Sequence, residues 1–362
     1  MKFCAIICEF NPLHNGHKFL IEKAKQITGL PVICLMSGNF CQRAEACCLE
    51  KHTRAQSAID AGADIVFELP TIFATGSANT FAKGAALILK NLPVSHLVFG
   101  SESGDIDALI RAKDFCKRLD DNQKVKDLLG GGINYKTALL GVAKEDAEVF
   151  DILSKPNNTL AIEYLKAIES TNIVPLTIKR EDNYLGGGKI FASSSKIREA
   201  CRQKNTESVK DFVPSFVFDG LANFKDDKTI KEHLFFALKT ATKEKLASLF
   251  SVSEGLENRI AKCANEASNY DEFVEKCVTK RYSRIRIRRI ALENFFGVTK
   301  EVAKECFCAI PTTILLAKSN KTNFDGFFEK PINLVLKKSD RKKFANEKSL
   351  QIDTLAEKLY ER

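Results

Sequence analysis

Two histidines stand three residues apart in the stretch Glu9 to His17, "EFNPLHNGH", in a chain of 362 residues that holds only five. Imidazoles flanking Asn15-Gly16 offer two N–H donors to one anion, and Gly16 lets the backbone approach it closely. The stretch follows the apolar run "FCAIIC" and precedes the pattern "GHKFLIEKAKQI", so His14 and His17 lie where a strand hands over to a helix beginning near Gly16. A helix N-terminus carries unpaired N–H groups and a partial positive charge, and it therefore binds phosphate. This suits in-line attack on the α-phosphate of a nucleotide, where the protein supplies positioning and charge stabilisation rather than a covalent nucleophile. A second element lies far along the chain. In "SSSKIR", Ser193 to Arg198, hydroxyls such as that of Ser194 can cap a helix, and Arg198 can contact phosphate.

The elements that must carry these residues read clearly in the front half. "KFCAIICEF", "PVICLMSG", "ADIVFELP", "SHLVFGSE" and "IVPLTIKR" are short apolar runs separated by helical stretches such as "LEKHTRAQSAIDAG" and "NTFAKGAALILKNL". Near-continuous apolar strands alternating with helices predict an α/β fold, a parallel sheet covered on both faces. Ligands of such sheets bind at the carboxyl ends of the strands, where the HxGH stretch falls. After "SSSKIREAC" strand-like runs become scarce and Phe, Leu, Lys and Glu recur at helical spacing, with Pro214 in the linker. The expected division is 1–204 for the α/β domain and 205–362 for a mostly helical, basic one. Lys337 to Lys343, "KKSDRKK", reads as a solvated charged loop.

Composition narrows the class. Hydrophobic residues make up 44% and charged residues 28%, as in ordinary globular chains. No apolar run reaches the ~18 residues of a membrane span, and the apolar N-terminus meets Glu9 too early for a signal peptide. The expectation is a cytoplasmic protein with no membrane partner. The twelve cysteines lack paired C-x-x-C spacing, so no metal-ligating set and no disulfide framework is assigned. The net charge of +9 is uneven, about +1 over the first 200 residues and +8 over the rest, which suits a catalytic part joined to a nucleic-acid-binding one.

"HNGH" after a first strand, together with "SSSKIR", resembles the HxGH nucleotidyltransferase and class I aminoacyl-tRNA synthetase superfamily. More of the chain is similar to one family. "CEFNPLHNGH", "SGNFCQRAEA", "FELP", "FGSE", "KPNNTLAIEYLKA", "TIKR" and "TKRYSRIRIRRI" together resemble the bacterial tRNA-Met cytidine acetate ligases, in order and spacing. The resemblance implies a Rossmann-like parallel sheet followed by a helical tRNA-binding region. It also implies the reaction: acetate and ATP, with Mg²⁺ accompanying the nucleotide, give acetyl-adenylate and pyrophosphate. The acetyl group then passes to the exocyclic amine of the wobble cytidine of elongator tRNA-Met.

Carried over by residue, the family's ATP site falls on Ile7, Cys8, Glu9, Phe10, Asn11, Pro12, Leu13, His14, Asn15, Gly16, His17, Lys18, Phe19 and Leu20. It continues at Gly100, at Asn157 or Asn158, and at Arg180, with His14, His17, Arg180 and Arg198 in catalytic roles and Ser194 beside them. Asn39, Gln42 and Arg43 rim the same cleft after the second strand. Ala44-Glu45-Ala46-Cys47 stands where the family usually has Gly-Glu-Pro-Ala. In "KRYSRIRIRR" the cations Lys280, Arg281, Arg284, Arg286, Arg288 and Arg289 meet no acid, and they are expected to bind tRNA as either a helix or a strand. Two other readings share the motifs: an adenylyltransferase acting on a small phosphorylated metabolite, and a non-catalytic RNA-binding protein.

Overall fold

Each of the five apolar runs of the front half becomes a strand: β1 (Phe3–Cys8), β2 (Val32–Ser37), β3 (Ile65–Leu69), β4 (Val94–Ser101) and β5 (Val174–Lys179). They pair in parallel in the order β5-β4-β1-β2-β3, with Cys4 opposite Val32 and Ile33 opposite Ile65. The computed structural model describes residues 1–119, 122–180, 192–253, 255–322, 324, 327 and 330–362. Alternation along the strands divides the core. Phe3, Ala5, Ile33, Leu35 and Phe67 point to one side of the sheet, and Cys4, Ile6, Val32, Cys34 and Met36 to the other. Both sides are covered, which is why these strands read as unbroken apolar runs. Each fully buried aliphatic side chain contributes about 1.5–3 kcal/mol relative to an exposed one.

Residues 205–362 are mostly helical. Lys228–Lys239, Leu256–Glu266, Tyr270–Cys277 and Arg284–Phe296 surround Leu234, Ile260, Phe273, Ile287 and Ile290. The chain then does something that its strand-poor composition did not suggest. β6 (Thr312–Lys318) pairs antiparallel with β3, and β7 (Asn333–Val335) pairs with β6, so seven strands form one sheet. The expected division at 204/205 therefore cuts through a single sheet. Thr313 fixes the return by donating its hydroxyl to the Glu68 carbonyl at 2.6 Å.

The "KKSDRKK" run is likewise more than a solvated loop. Lys338–Phe344 forms a 3₁₀ helix, and Arg341 Nη1 reaches Glu357 Oε2 at 2.6 Å on the last helix, Lys348–Glu361. Glu357 also pairs with Lys51, whose Nζ lies 2.6 Å from Glu68 Oε2. Lys51 and Glu68 are each 2% exposed, so removing either one strands a buried charge at a cost of about 3–5 kcal/mol. This network joins the carboxyl end of β3, the helix Lys51–Asp60 and the C-terminal helix.

Candidate nucleotide site

The strand order reverses between β1 and β4, and the crevice beyond their carboxyl ends is where parallel sheets bind ligands. Three candidate groups converge there by topology alone: the HxGH loop after β1, Gly100 near the end of β4, and Arg180 immediately after β5.

His14 is the N-cap of the helix Asn15–Thr28, one residue earlier than the sequence pattern suggests. Its Nδ1 accepts the Gly16 N–H at 3.1 Å, and the Nδ1 of His17 accepts the His14 N–H at 3.3 Å. The imidazoles thus replace the oxygen acceptors of an ordinary capping box. The consequence is chemical. With both Nδ1 atoms accepting, each neutral ring carries its proton on Nε2. The rings stack with centroids 3.7 Å apart at 22°. Burial and then the Arg180 cation lower the His14 pKa to about 3. Burial, His14 and Arg180 push His17 well below the usual imidazole range. The site therefore presents two neutral Nε2–H donors at a helix N-terminus, in the field of an arginine.

Arg180 is exposed and extends β5 by donating its backbone N–H to the Ser101 carbonyl at 2.8 Å. Its side chain crosses Gly100, where an added Cβ would lie 3.0 Å from Arg180 Cγ. Gly100 is thus the floor on which Arg180 lies, a close approach that a larger residue would disturb.

The HxGH loop is held rather than loose. Phe10 adopts a left-handed φ of 47°, a conformation that costs a non-glycine residue about 1–3 kcal/mol. Two guanidinium groups grip the carbonyls on either side of it. Arg54, fully buried, donates from Nη1 to Glu9 O at 2.6 Å and to Ser37 O at 3.1 Å, from Nη2 to Gly38 O, and from Nε to Leu49 O at 2.9 Å. Arg198 donates from Nη1 to Asn11 O at 2.7 Å, and Ser194 donates its hydroxyl to Pro12 O at 3.3 Å. The "SSSKIR" helix, Ser194–Arg202 capped by Ser193, therefore packs its start onto the HxGH loop. In this arrangement Arg198 holds that loop through Nη1, while its Nε has no partner among the described residues.

The other candidates also make contacts within the chain. Cys8, Phe10 and Leu13 are buried, Ile7 and Leu20 pack against the core, and Pro12 lies in the buried part of the loop. Asn11 Oδ1 accepts the Cys48 N–H at 2.7 Å, and Asn39 Oδ1 accepts the Lys51 N–H at 3.1 Å, so both are committed to the loop that follows β2. Asn15 reaches Asp211 O at 2.8 Å. Lys18 and Phe19 follow on partly exposed turns of the helix, with Lys18 3.9 Å from Glu22. Asn157 and Asn158 open the helix Pro156–Ile168, yet neither is its N-cap. Glu102 supplies that function from the end of β4, accepting from Asn157 N and Nδ2 at 3.1 and 2.7 Å and from Asn158 N at 2.7 Å. Asn158 is fully enclosed, its Oδ1 accepts the Ser103 N–H at 3.1 Å, and its Nδ2 is left without an acceptor. Sequence reasoning missed Arg54 and Glu102. The only signal for either is a charged residue beside an apolar run.

Comparison with known proteins agrees with this architecture. The family model described as HIGH Nucleotidyl Transferase matches residues 1–362. A tRNA(Met) cytidine acetate ligase of Caldanaerobacter subterraneus is 36% identical over 324 residues, covering 84% of this chain and 80% of that protein. One from Thermoanaerobacter sp. is 33% identical, covering 99% and 95%. The chain belongs to the tRNA(Met) cytidine acetate ligase family, within the HIGH nucleotidyl transferases. A crystal structure of Thermotoga maritima TmcAL bound with alpha-thio ATP superimposes with a TM-score of 0.85 at 29% identity, covering 98% of this chain and 91% of that one.

Within this family member the arginine run takes the helical of its two expected forms. It forms the helix Arg284–Phe296, capped by Ser283. Arg286 donates to Ser251 O at 2.9 and 3.1 Å, and Arg289 donates to Thr75 O at 2.7 Å and Gly76 O at 2.9 Å. Arg288 pairs with Glu45 of the loop after β2, and Arg284 pairs with Glu275. Four arginines expected to meet tRNA are thus engaged within the chain, and two of them join the helical part to the loops around the sheet. Among the described residues no helix is long and apolar enough to cross a membrane.

Proposed function

We propose that this protein is an ATP-dependent acetate ligase acting in the cytoplasm on elongator tRNA-Met. Acetate attacks the α-phosphate of ATP, giving acetyl-adenylate and pyrophosphate, and the acetyl group then passes to the exocyclic amine of the wobble cytidine. The observation that carries the first step is the tautomer-fixed pair His14 and His17. Two Nε2–H donors beside a helix N-terminus complement charge developing on an α-phosphate, and they need no proton change to do so. Arg180 supplies the permanent charge, and its planar fork suits phosphate oxygens. The relatives' name, tRNA(Met) cytidine acetate ligase, supports the second step.

Mg²⁺ fits this site as a companion of the nucleotide. Among the described residues no group of three His, Cys, Asp or Glu is placed to cage an ion. Magnesium is commonly held by substrate phosphates and water with few protein ligands, and it neutralises charge on those phosphates when bound. The protein's own residues position the triphosphate. The test is incubation of the protein with ATP, Mg²⁺, acetate and tRNA-Met, followed by mass spectrometry of the nucleosides. N4-acetylcytidine that requires acetate supports the reading, and its absence with AMP release on another small acceptor overturns it.

A further inference from the structure

One carboxylate stands at the mouth of the crevice without a structural commitment for both of its oxygens. Glu9 follows β1 directly and is half-buried between the HxGH loop and the loop after β2. Its Oε1 accepts the Gln42 N–H at 2.6 Å. Among the described residues nothing donates to Oε2, and that atom is not sealed in the interior. The neighbouring acids differ. Glu45 is paired with Arg288, Glu50 accepts from His52 N and Thr53 N as a helix cap, and Glu102 accepts three donors from Asn157 and Asn158.

We propose that Glu9 Oε2 receives the exocyclic amine of the acceptor cytidine and accepts its proton during acetyl transfer. The chemistry calls for such a group. A cytosine amine presents N–H donors, and a glutamate is a natural acceptor for them. As the nitrogen attacks the acetyl carbon, the bond from that carbon to the phosphate oxygen breaks and AMP leaves with the electron pair. The proton lost by nitrogen goes to Oε2 and then to water. Arg43, Arg54 and Arg198 face the same carboxylate and favour its charged form, while burial opposes them and raises its pKa above the ordinary value. Such a carboxylate is a better base than an exposed one. Cys8, Cys41, Cys47 and Tyr164 are the other titratable groups within its field.

This assignment rests on the acetyl-transfer reading above, and Glu9→Gln separates the two. The amide oxygen of glutamine can still accept the Gln42 N–H, so the loop keeps its bond, while an NH₂ replaces Oε2 and meets the cytidine amine donor to donor. Two steps are measured on the full-length protein: acetate-dependent ATP–pyrophosphate exchange, and single-turnover transfer from preformed acetyl-adenylate to a tRNA-Met transcript. Loss of a general base costs about 10²–10⁴-fold. The expected result is that transfer from preformed acetyl-adenylate falls at least a hundredfold and well beyond any loss of exchange at saturating ATP, with Glu9→Asp recovering part of transfer. Equal losses in both steps, or transfer at the parent rate, overturn the assignment. The parent's own exchange and transfer report on the activity reading, so the two ideas fail separately.

Discussion

His14 is a neutral imidazole held against its tendency to charge, and this has a measurable price in acid. A group whose pKa falls on folding binds its proton more tightly in the unfolded chain, so stability declines as pH drops through the window between the two values. For His14 that window runs from the ordinary 6.5 down to about 3. By linkage, one such imidazole costs the folded state roughly 2 kcal/mol at about pH 5 and almost nothing at about pH 7.5. The perturbation that isolates it is His14→Asn. Asparagine is among the best N-caps, so the start of the helix Asn15–Thr28 is kept while the titrating ring is removed. His17 is itself depressed partly by His14, so the variant relieves some of that cost too. Urea unfolding of parent and variant at the two pH values gives the answer. The parent should lose about 2 kcal/mol more than His14→Asn on acidification. Parallel losses would mean that His14 titrates normally, and the fixed Nε2–H pair would then be wrong.

The same pair predicts function. His14→Ala or His17→Ala should lower acetate-dependent pyrophosphate exchange by about 10²–10³, with a much smaller change in ATP affinity, as for loss of one oxyanion donor. Arg180→Lys keeps the charge but loses the fork, and should raise the KM for ATP in the same assay. Gly100→Ala places a methyl against the Arg180 side chain, so its effect on that KM should largely vanish in the Arg180→Lys background; full additivity would show that the two act separately. Arg288→Glu should destabilise the protein by roughly 1–3 kcal/mol by urea titration, between exposed and buried pairs, and the swap Arg288→Glu with Glu45→Arg should restore most of it.

What the sequence made legible follows from which forces leave a local pattern. β1 to β3 are buried on both faces, and β4 over most of its second half, so burial writes itself as continuous apolar runs, and the crevice follows from the strand order that such runs adopt. His14 and His17 stood out because histidine is scarce and the two are adjacent in space through local sequence. β6 was hidden for the opposite reason. "TTILLAK" pairs with β3 across almost 250 residues, and no periodicity names a distant partner.

The buried cations were hidden more deeply. "KHTRAQSAID" looks like a polar surface helix, yet Lys51 and Arg54 are its largest buried side chains, because their partners are Glu68 and the carbonyls at the ends of β1 and β2. Backbone carbonyls are available to any arginine and leave no mark in a sequence. The same physics changes the meaning of the basic C-terminal half. A net charge of +8 counts Arg289, which satisfies Thr75 O and Gly76 O, and Arg286, which satisfies Ser251 O, as though they faced solvent. Removing either would leave carbonyls unpaired, at about 1–3 kcal/mol each where they are buried. Loss of RNA binding in such variants would therefore report a disturbed scaffold. Only variants with parent stability, titrated across salt to read the number of phosphates neutralised, locate the surface that meets tRNA.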